Sequence, residues 1–245
     1  HAEEGDVTVP SAVVASIVCL PLLDAPRREL TVVHRGRTAW QLADTSGRVV
    51  TCVSTPDAVR LPHALVVPSL PPTPPAIAIG QGALWWGETR VPVARWFSPP
   101  RPRRLTLQAL QHPGNVADPL IDRWRAFLGW GEGLTPYGDD VICGALVALY
   151  AAGDARAHRL AETLRQTPLE QLTTATSAAL LRLAAHGWCI DPVAGMLAAA
   201  ATGAPLATPT RRLTAVGHSS GRGLLEGIGQ VLHLPAAGHA AGRAA

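Results

Sequence analysis

Two adjacent aspartates, Asp139 and Asp140, close the glycine-rich stretch "GWGEGLTPYGDD" (129–140) and stand directly before the apolar run "VICGALVALY". The run must be a buried helix, so the helix begins at or near the aspartates. A helix N-terminus carries unpaired backbone N–H groups and partial positive charge, and one aspartate placed there is accounted for as a cap. Capping does not account for two aspartates, nor for Gly129, Gly131 and Gly133 ahead of them. A glycine-rich loop that meets a helix N-terminus is a cradle for an anion or a polar ligand. Two carboxylates repel a phosphate unless a metal, an arginine or a substrate N–H lies between them. Asp139 and Asp140 could therefore hold an amide or amino group, coordinate Mg²⁺ through oxygen, or act as a base with a raised pKa.

A second stretch repeats the pattern. In "AVGHSSGRGLLEGIGQVLHL" (215–234), Gly217, His218, Ser219, Ser220, Gly221 and Gly223 precede another apolar helix, so two hydroxyls and several free N–H groups converge on one point. The plainer account is an ordinary serine cap. A third cluster, "TTATS" (173–177), lies within a helical pattern and places Thr174 and Ser177 on one face. Such hydroxyls often bond locally to backbone. Neither glycine-rich stretch has the Lys-Ser/Thr ending of a Walker loop, and neither follows a strand, which argues against an ordinary nucleotide-binding domain. Gly217-His218-Ser219-Ser220-Gly221 has the letters of G-x-S-x-G with Ser219 at the centre, but it does not follow a strand, so it is not read as a nucleophile elbow. No cofactor and no metal ligand set is assigned from the sequence. His186, Trp188 and the other tryptophans are read as packing.

The elements that must position these groups divide by texture. Up to about residue 97, short β-branched runs ("LTVVH", "RVVTCVS", "HALVVP", "AIAIG") separated by turn residues predict strands. "PSLPPTPP" (68–75) interrupts them as a rigid connection or an edge, and "FSPPRPRR" (97–104) marks a boundary. Beyond it, "VICGALVALYAAG", "DARAHRLAETLRQ", "LEQLTTATSAALLRLAAHG" and "DPVAGMLAAAATG" have helical spacing. Several end at glycine, and Asp191 with Pro192 is expected to supply an N-cap and a first-turn proline. The expected fold class is α+β: a strand-rich N-terminal domain over 1–100 packed on a mainly helical domain over 101–235, with a disordered tail over 236–245.

Composition narrows the function. The 245 residues are 47% hydrophobic, enough for a substantial core, and the net charge of +3 comes from scattered arginines. Only Arg101, Arg103 and Arg104 cluster, without aromatic interleaving, which argues against nucleic acid. Cys19, Cys52, Cys143 and Cys189 are far apart in apolar surroundings and lack zinc-site spacing, as reduced buried thiols in a cytoplasmic protein would be. "VPSAVVASIVCLPLL" (9–23) looks like a signal-peptide core but follows the acidic "HAEEGD" and holds two prolines, so it reads as buried structure. No apolar stretch reaches the roughly 20 residues that span a bilayer. A soluble, cytoplasmic protein with no membrane partner is expected.

"GWGEGLTPYGDD" resembles the G-x-G-x-G-L-T-P-S-G-D-D signature of the family that includes the AllH subunit of oxamate carbamoyltransferase. "TTATSAALLRLAAHG" and "GHSSGRGLLEG" resemble the family's two later segments in the same order. The resemblance covers roughly residues 120–234; the N-terminal part is similar only in its strand pattern and in "RWFSPPR". It implies an AllH-like subunit of purine or allantoin breakdown that acts with FdrA-like and AllG-like partners. There a carbamoyl group passes between oxalurate and phosphate, giving oxamate and carbamoyl phosphate. On that pattern Gly131, Gly133, Thr135, Gly138, Asp139 and Asp140 form one site segment, and Gly217, His218, Ser219, Ser220 and Gly221 the other. Two positions depart: Tyr137 stands where the family usually has Ser, and Gly223 stands where an Asp is expected. The expected activity is carbamoyl transfer, or related chemistry on a ureido or amide compound. Asp139, Asp140, Thr135, His218, Ser219 and Ser220 would be catalytic, and Gly131, Gly133, Tyr137, Gly138, Thr174, Ser177, Gly217 and Gly221 would bind substrate. A non-catalytic ligand-binding subunit and a lyase or hydrolase using the same pocket are the alternatives.

Overall fold

The computed structural model describes residues 9–105 and 123–234 and divides the chain into two compact units, His1–Pro99 and Pro100–Ala245. The tail expected over 236–245 lies outside the described residues. The fold is α+β, with strands in the first unit and helices in the second.

The first unit is a closed barrel of eight strands: β1 Val13–Ser16, β2 Arg28–Arg35, β3 Ala39–Ala43, β4 Val49–Ser54, β5 Ala64–Val66, β6 Ile77–Gly80, β7 Ala83–Trp86 and β8 Thr89–Phe97, in the spatial order β1-β5-β4-β3-β2-β6-β7-β8. All four β-branched runs picked out in the sequence fall on strands. β1 pairs in parallel with β8, Ala15 opposite Trp96, and this pairing closes the sheet and removes its edges. Alternation selects the core. Trp40 pairs with Val53 and Leu42 with Thr51, which puts this set on one face while Gln41 and Cys52 take the other. Trp40, Leu42, Val53, Leu65, Ile79, Leu84, Trp86 and Val91 form one buried cluster, with the Trp40 and Trp86 rings stacked at 5.8 Å. The stretch 9–23, expected to be buried, is structured but only partly buried: it forms β1, a turn of 3-10 helix over Ile17–Cys19 and the short α1 Leu20–Asp24, with Val13, Ala15, Cys19 and Leu23 in the core and Val9, Ile17 and Leu20 exposed. The proline-rich 68–75 links β5 to β6 without joining the sheet.

One polar knot sits within this unit. The His63 carbonyl accepts from the Cys52 N–H, from the Thr51 hydroxyl at 2.7 Å and from the Cys19 thiol. The His63 imidazole itself is 2% exposed, and neither ring nitrogen has a partner among the described residues. Burial alone pushes its pKa down to about 4 from the ordinary 6.5, so the folded unit holds the ring neutral.

In the second unit the helices are α2 Tyr137–Ala152, α3 Ala155–Gln166, α4 Ala175–Ala185, α5 Asp191–Thr202, α6 Ala207–Thr214 and α7 Ser220–Leu232. α2 is apolar around its whole circumference, with Val141, Ile142, Ala145, Leu146, Ala148 and Leu149 all buried, so it must be the central helix. α3 is two-faced and buries only Ala157, Leu160, Ala161 and Leu164. Gly153 and Gly203 end α2 and α5 in left-handed conformation, as the sequence suggests. Asp191 differs from expectation: Ile190 occupies the cap position, and Asp191 with Pro192 begins the helix without a side-chain cap bond.

The closest packing in this unit joins α2 to α7, and glycine makes it possible. A Cβ added to Gly144 would stand 2.2 Å from the Leu224 carbonyl oxygen, and one added to Gly227 would stand 2.0 Å from the Val141 carbonyl oxygen. Backbone therefore rests on backbone at two levels of the crossing.

Two measurements test these packings. For His63 the folded pKa lies below the unfolded one, so the unfolded chain binds the proton first as pH falls. Stability is intact above pH 6.5 and is lost progressively toward pH 4. Urea unfolding across that window should show a loss approaching about 3 kcal/mol that His63→Phe abolishes; an unchanged acid limb in the variant refutes the assignment. Gly227→Ala should cost about 3 kcal/mol or more by overpacking, visible as a lowered unfolding midpoint; a midpoint equal to that of the parent protein would show that the crossing can relax.

Candidate functional site

Both glycine-rich turns end at the α2–α7 crossing. Pro136 and Ser219 occupy the two N-cap positions, and neither helix has a side-chain cap bond. The serine-cap account of the second turn therefore does not describe it. Instead the turns bond to each other: the Thr135 and Ser220 hydroxyls lie 2.8 Å apart. Tyr137 adds a second tie, donating its phenolic hydrogen to the Glu226 carboxylate on α7.

The two aspartates have opposite fates. Asp139 is 1% exposed and fully engaged. Its Oδ1 accepts the Gly129 N–H at 2.8 Å, and its Oδ2 accepts the Ser177 hydroxyl at 2.6 Å and the Thr173 hydroxyl. It caps nothing in its own helix but staples the first turn to the start of α4. Helical geometry explains the division, because successive residues point about 100° apart and the second carboxylate must face elsewhere.

Asp140 faces α7. It is 6% exposed, and its Oδ2 has no hydrogen-bond partner among the described residues. Burial pushes its pKa up to about 7; the Ser220 hydroxyl pulls against that, the neighbouring Asp139 charge adds to it, and the Thr135 hydroxyl again opposes. Gly223 explains how α7 comes so close: a Cβ there would sit 2.8 Å from the Asp140 Cβ. The aspartate expected at 223 would have no room on this backbone.

The remaining sequence candidates fall into place around this pair. Thr174 caps α4, accepting the Ser177 N–H at 3.1 Å, and it donates to the Leu134 carbonyl at 2.6 Å. Thr174 and Ser177 thus spend their hydroxyl protons inside the protein. Gly138 packs against the Phe127 carbonyl and Gly221 against the Leu213 carbonyl, at distances no Cβ would permit. Gly131, Gly133, Gly217 and His218 are exposed; His218 contributes its carbonyl, which accepts from Arg222 at 3.3 Å. Ser219 is half-buried, and its carbonyl accepts the N–H groups of Arg222 and Gly223. The structure thus brings Thr135, Tyr137, Asp140, Ser220 and Gly223 together and assigns Asp139, Thr174 and Ser177 to holding the first turn.

Sequence reasoning passed over two groups, Glu226 and Trp130. Glu226 lies six residues after Ser220 inside an ordinary helical pattern and carries no signal. Trp130 is 59% exposed with its ring edge-on to Tyr137 at 5.9 Å. Its signal is the pair of glycines flanking it.

Chemically, the arrangement offers a buried carboxyl with one vacant acceptor oxygen, two hydroxyls beside it, and the positive ends of two helices. No group of three or more His, Cys, Asp or Glu residues suited to a metal ion occurs among the described residues, and no described helix is long and apolar enough to cross a membrane.

The Asp140 carboxyl has a raised folded pKa, so its contribution to stability is fully present below its ordinary value of 3.8 and is lost as pH rises through about 7. Asp140→Asn, neutral at every pH, should therefore be more stable than the parent above pH 7 by about 2 kcal/mol or more, the gap closing toward pH 4. Paired denaturant titrations at pH 5 and pH 8 measure this; equal stability at pH 8 would mean the carboxylate is solvated.

No solved structure matches this chain. Residues 127–232, a stretch that holds both turns, both aspartates and every hydroxyl of the candidate site, are similar to the family model described as oxamate carbamoyltransferase subunit AllH.

Proposed function

We propose that the helical unit binds a small carbamoyl, ureido or amide compound between the two glycine-rich turns, and that its chemistry is carbamoyl transfer of the oxalurate–phosphate type. One observation carries the reading: a buried Asp140 carboxyl with an unpartnered oxygen, set beside the Thr135–Ser220 hydroxyl pair where two helix N-termini meet. An unsatisfied buried acceptor is costly, and a ligand N–H removes the cost. The carbamoyl nitrogen supplies such a donor.

Each residue then has a role that its environment permits. Asp140 accepts the substrate N–H and, with its pKa brought near neutrality, takes or returns a proton as the carbamoyl carbon is attacked. Of the Thr135–Ser220 pair, the hydroxyl that accepts in their mutual bond has its own proton free to donate to the oxygen on which negative charge develops, assisted by the positive ends of α2 and α7. Transfer between oxalurate and phosphate needs positioning and charge stabilisation more than a protein nucleophile. Asp139, Thr173, Thr174 and Ser177 position the first turn without touching substrate. His218 and Ser219, at the exposed lip, would meet the phosphate.

The matched family is described as a subunit, which favours a second reading: the chain shapes a site completed by partner subunits such as the FdrA-like and AllG-like proteins. Assays of oxalurate with phosphate, using the chain alone and then with those subunits, separate the two. Asp140→Asn should lower kcat at least about 100-fold, as loss of a general acid–base does, while the protein still unfolds cooperatively. In the parent, kcat should rise as pH climbs through 7 if Asp140 acts as base. Full activity of Asp140→Asn, alone and in the complex, would remove Asp140 from the mechanism.

A further inference from the structure

The tryptophans of the helical unit are treated very differently by the fold. Trp124 is 5% exposed with the Arg125 guanidinium over its ring, and the Trp188 ring is covered by Arg101 at 3.8 Å. Trp130 is left 59% exposed, with Tyr137 against it edge-on. A loosely held surface residue would explain that, but the Trp130 backbone is fixed on both sides. Its N–H donates to the Phe127 carbonyl at 2.9 Å and its carbonyl accepts the Gly138 N–H at 2.8 Å. Gly129 and Gly131, at φ +71° and +108°, flank it where side chains would strike the Leu172 carbonyl oxygen and the Tyr137 nitrogen. The chain bends through two left-handed glycines and holds a large apolar ring out in water.

The ring stands beside the candidate site. Tyr137, which it touches, lies against Gly223, and Gly223 lies against Asp140. Resting on the carbamoyl reading above, we propose that Trp130 is a specificity-determining residue whose indole face receives the flat, conjugated carbamoyl or ureido group while Asp140 holds its N–H. Amide and ureido groups are planar by conjugation, so they present a face to an aromatic ring; a tetrahedral phosphate does not. Tyr137 meets the indole edge-on, between it and Gly223, and is itself held by Glu226. The ring pair thus selects for planarity, and the polar groups beneath select for hydrogen bonding.

Calorimetric titration of oxalurate into the full chain tests this, with the parent, Trp130→Phe, Trp130→Ala and Asp140→Asn compared and each variant's thermal unfolding recorded. Trp130→Ala should weaken oxalurate binding about tenfold, the worth of one aromatic contact, with its unfolding midpoint unchanged. Trp130→Phe should restore affinity to within about threefold, since a second flat ring replaces the first. Equal affinity of Trp130→Ala and the parent overturns the proposal, and does so equally if that variant slows only the assembled complex, because the ring would then dock a protein. A parent chain that binds no oxalurate, either alone or with the FdrA-like and AllG-like subunits, overturns the carbamoyl reading itself. A parent that binds while Asp140→Asn and Trp130→Ala bind equally well leaves both residues outside the site.

Discussion

The contact of backbone on backbone between α2 and α7 is the constraint from which the site follows. Leu224 and Val141 carbonyls occupy the space that Cβ atoms would take at Gly144 and Gly227, and Asp140 does the same at Gly223. Helices of ordinary composition lie 8–10 Å apart, as their side chains dictate. Here three glycines remove that spacer, and the N-termini of the two helices come within reach of a single pair of hydroxyls. Without this approach, Thr135 and Ser220 could not bond, and Asp140 would stand in water at an ordinary pKa. The entropy that glycine costs in a helix is offset by what the proximity makes available.

The same approach sorts two chemically identical neighbours into different tasks. Asp139 turns toward α4 and meets one N–H and two hydroxyls, so its charge is absorbed by the fold. Asp140 turns toward α7, where glycine has cleared side chains away, and finds no donor for Oδ2 among the described residues. A buried carboxyl with unmet bonding capacity is a local loss of stability. Proteins tend to carry such losses where ligands bind, and here the loss lies at the point where both motifs converge.

Much of this was legible in the residues, and the parts that were not share a cause. The β-branched runs and the apolar helices announced themselves because their periodicity is local. "AWQLA" over β3 and the hydrophobic stretches of β7 and β8 were passed over, and barrel closure through the parallel β1–β8 pair depends on register between residues some 80 apart. The short α6 escaped for want of an apolar face. For the site, two glycine-rich turns before apolar helices were visible, and so was the excess of carboxylates over what capping needs. That Asp139 would be spent on Gly129, Thr173 and Ser177 was not, because the first turn and α4 meet only in three dimensions. Trp130 reads as packing in the sequence because composition cannot separate a tryptophan folded inward, like Trp124, from one held outward.

The glycine crossing also bears on how such a site can change. No side chain can be added at Gly144, Gly223 or Gly227 without moving a helix, and Asp139 is bound to elements that Thr173 and Ser177 anchor. The floor of the site is therefore closed to gradual modification: a substitution there is tolerated by the fold or ruins it, with little between. The rim is under no such restriction. Trp130 and His218 stand on exposed positions where size and polarity can vary at small cost to folding. A lineage built on this framework would keep one buried acceptor and alter its choice of substrate by exchanging the rings and side chains around the opening.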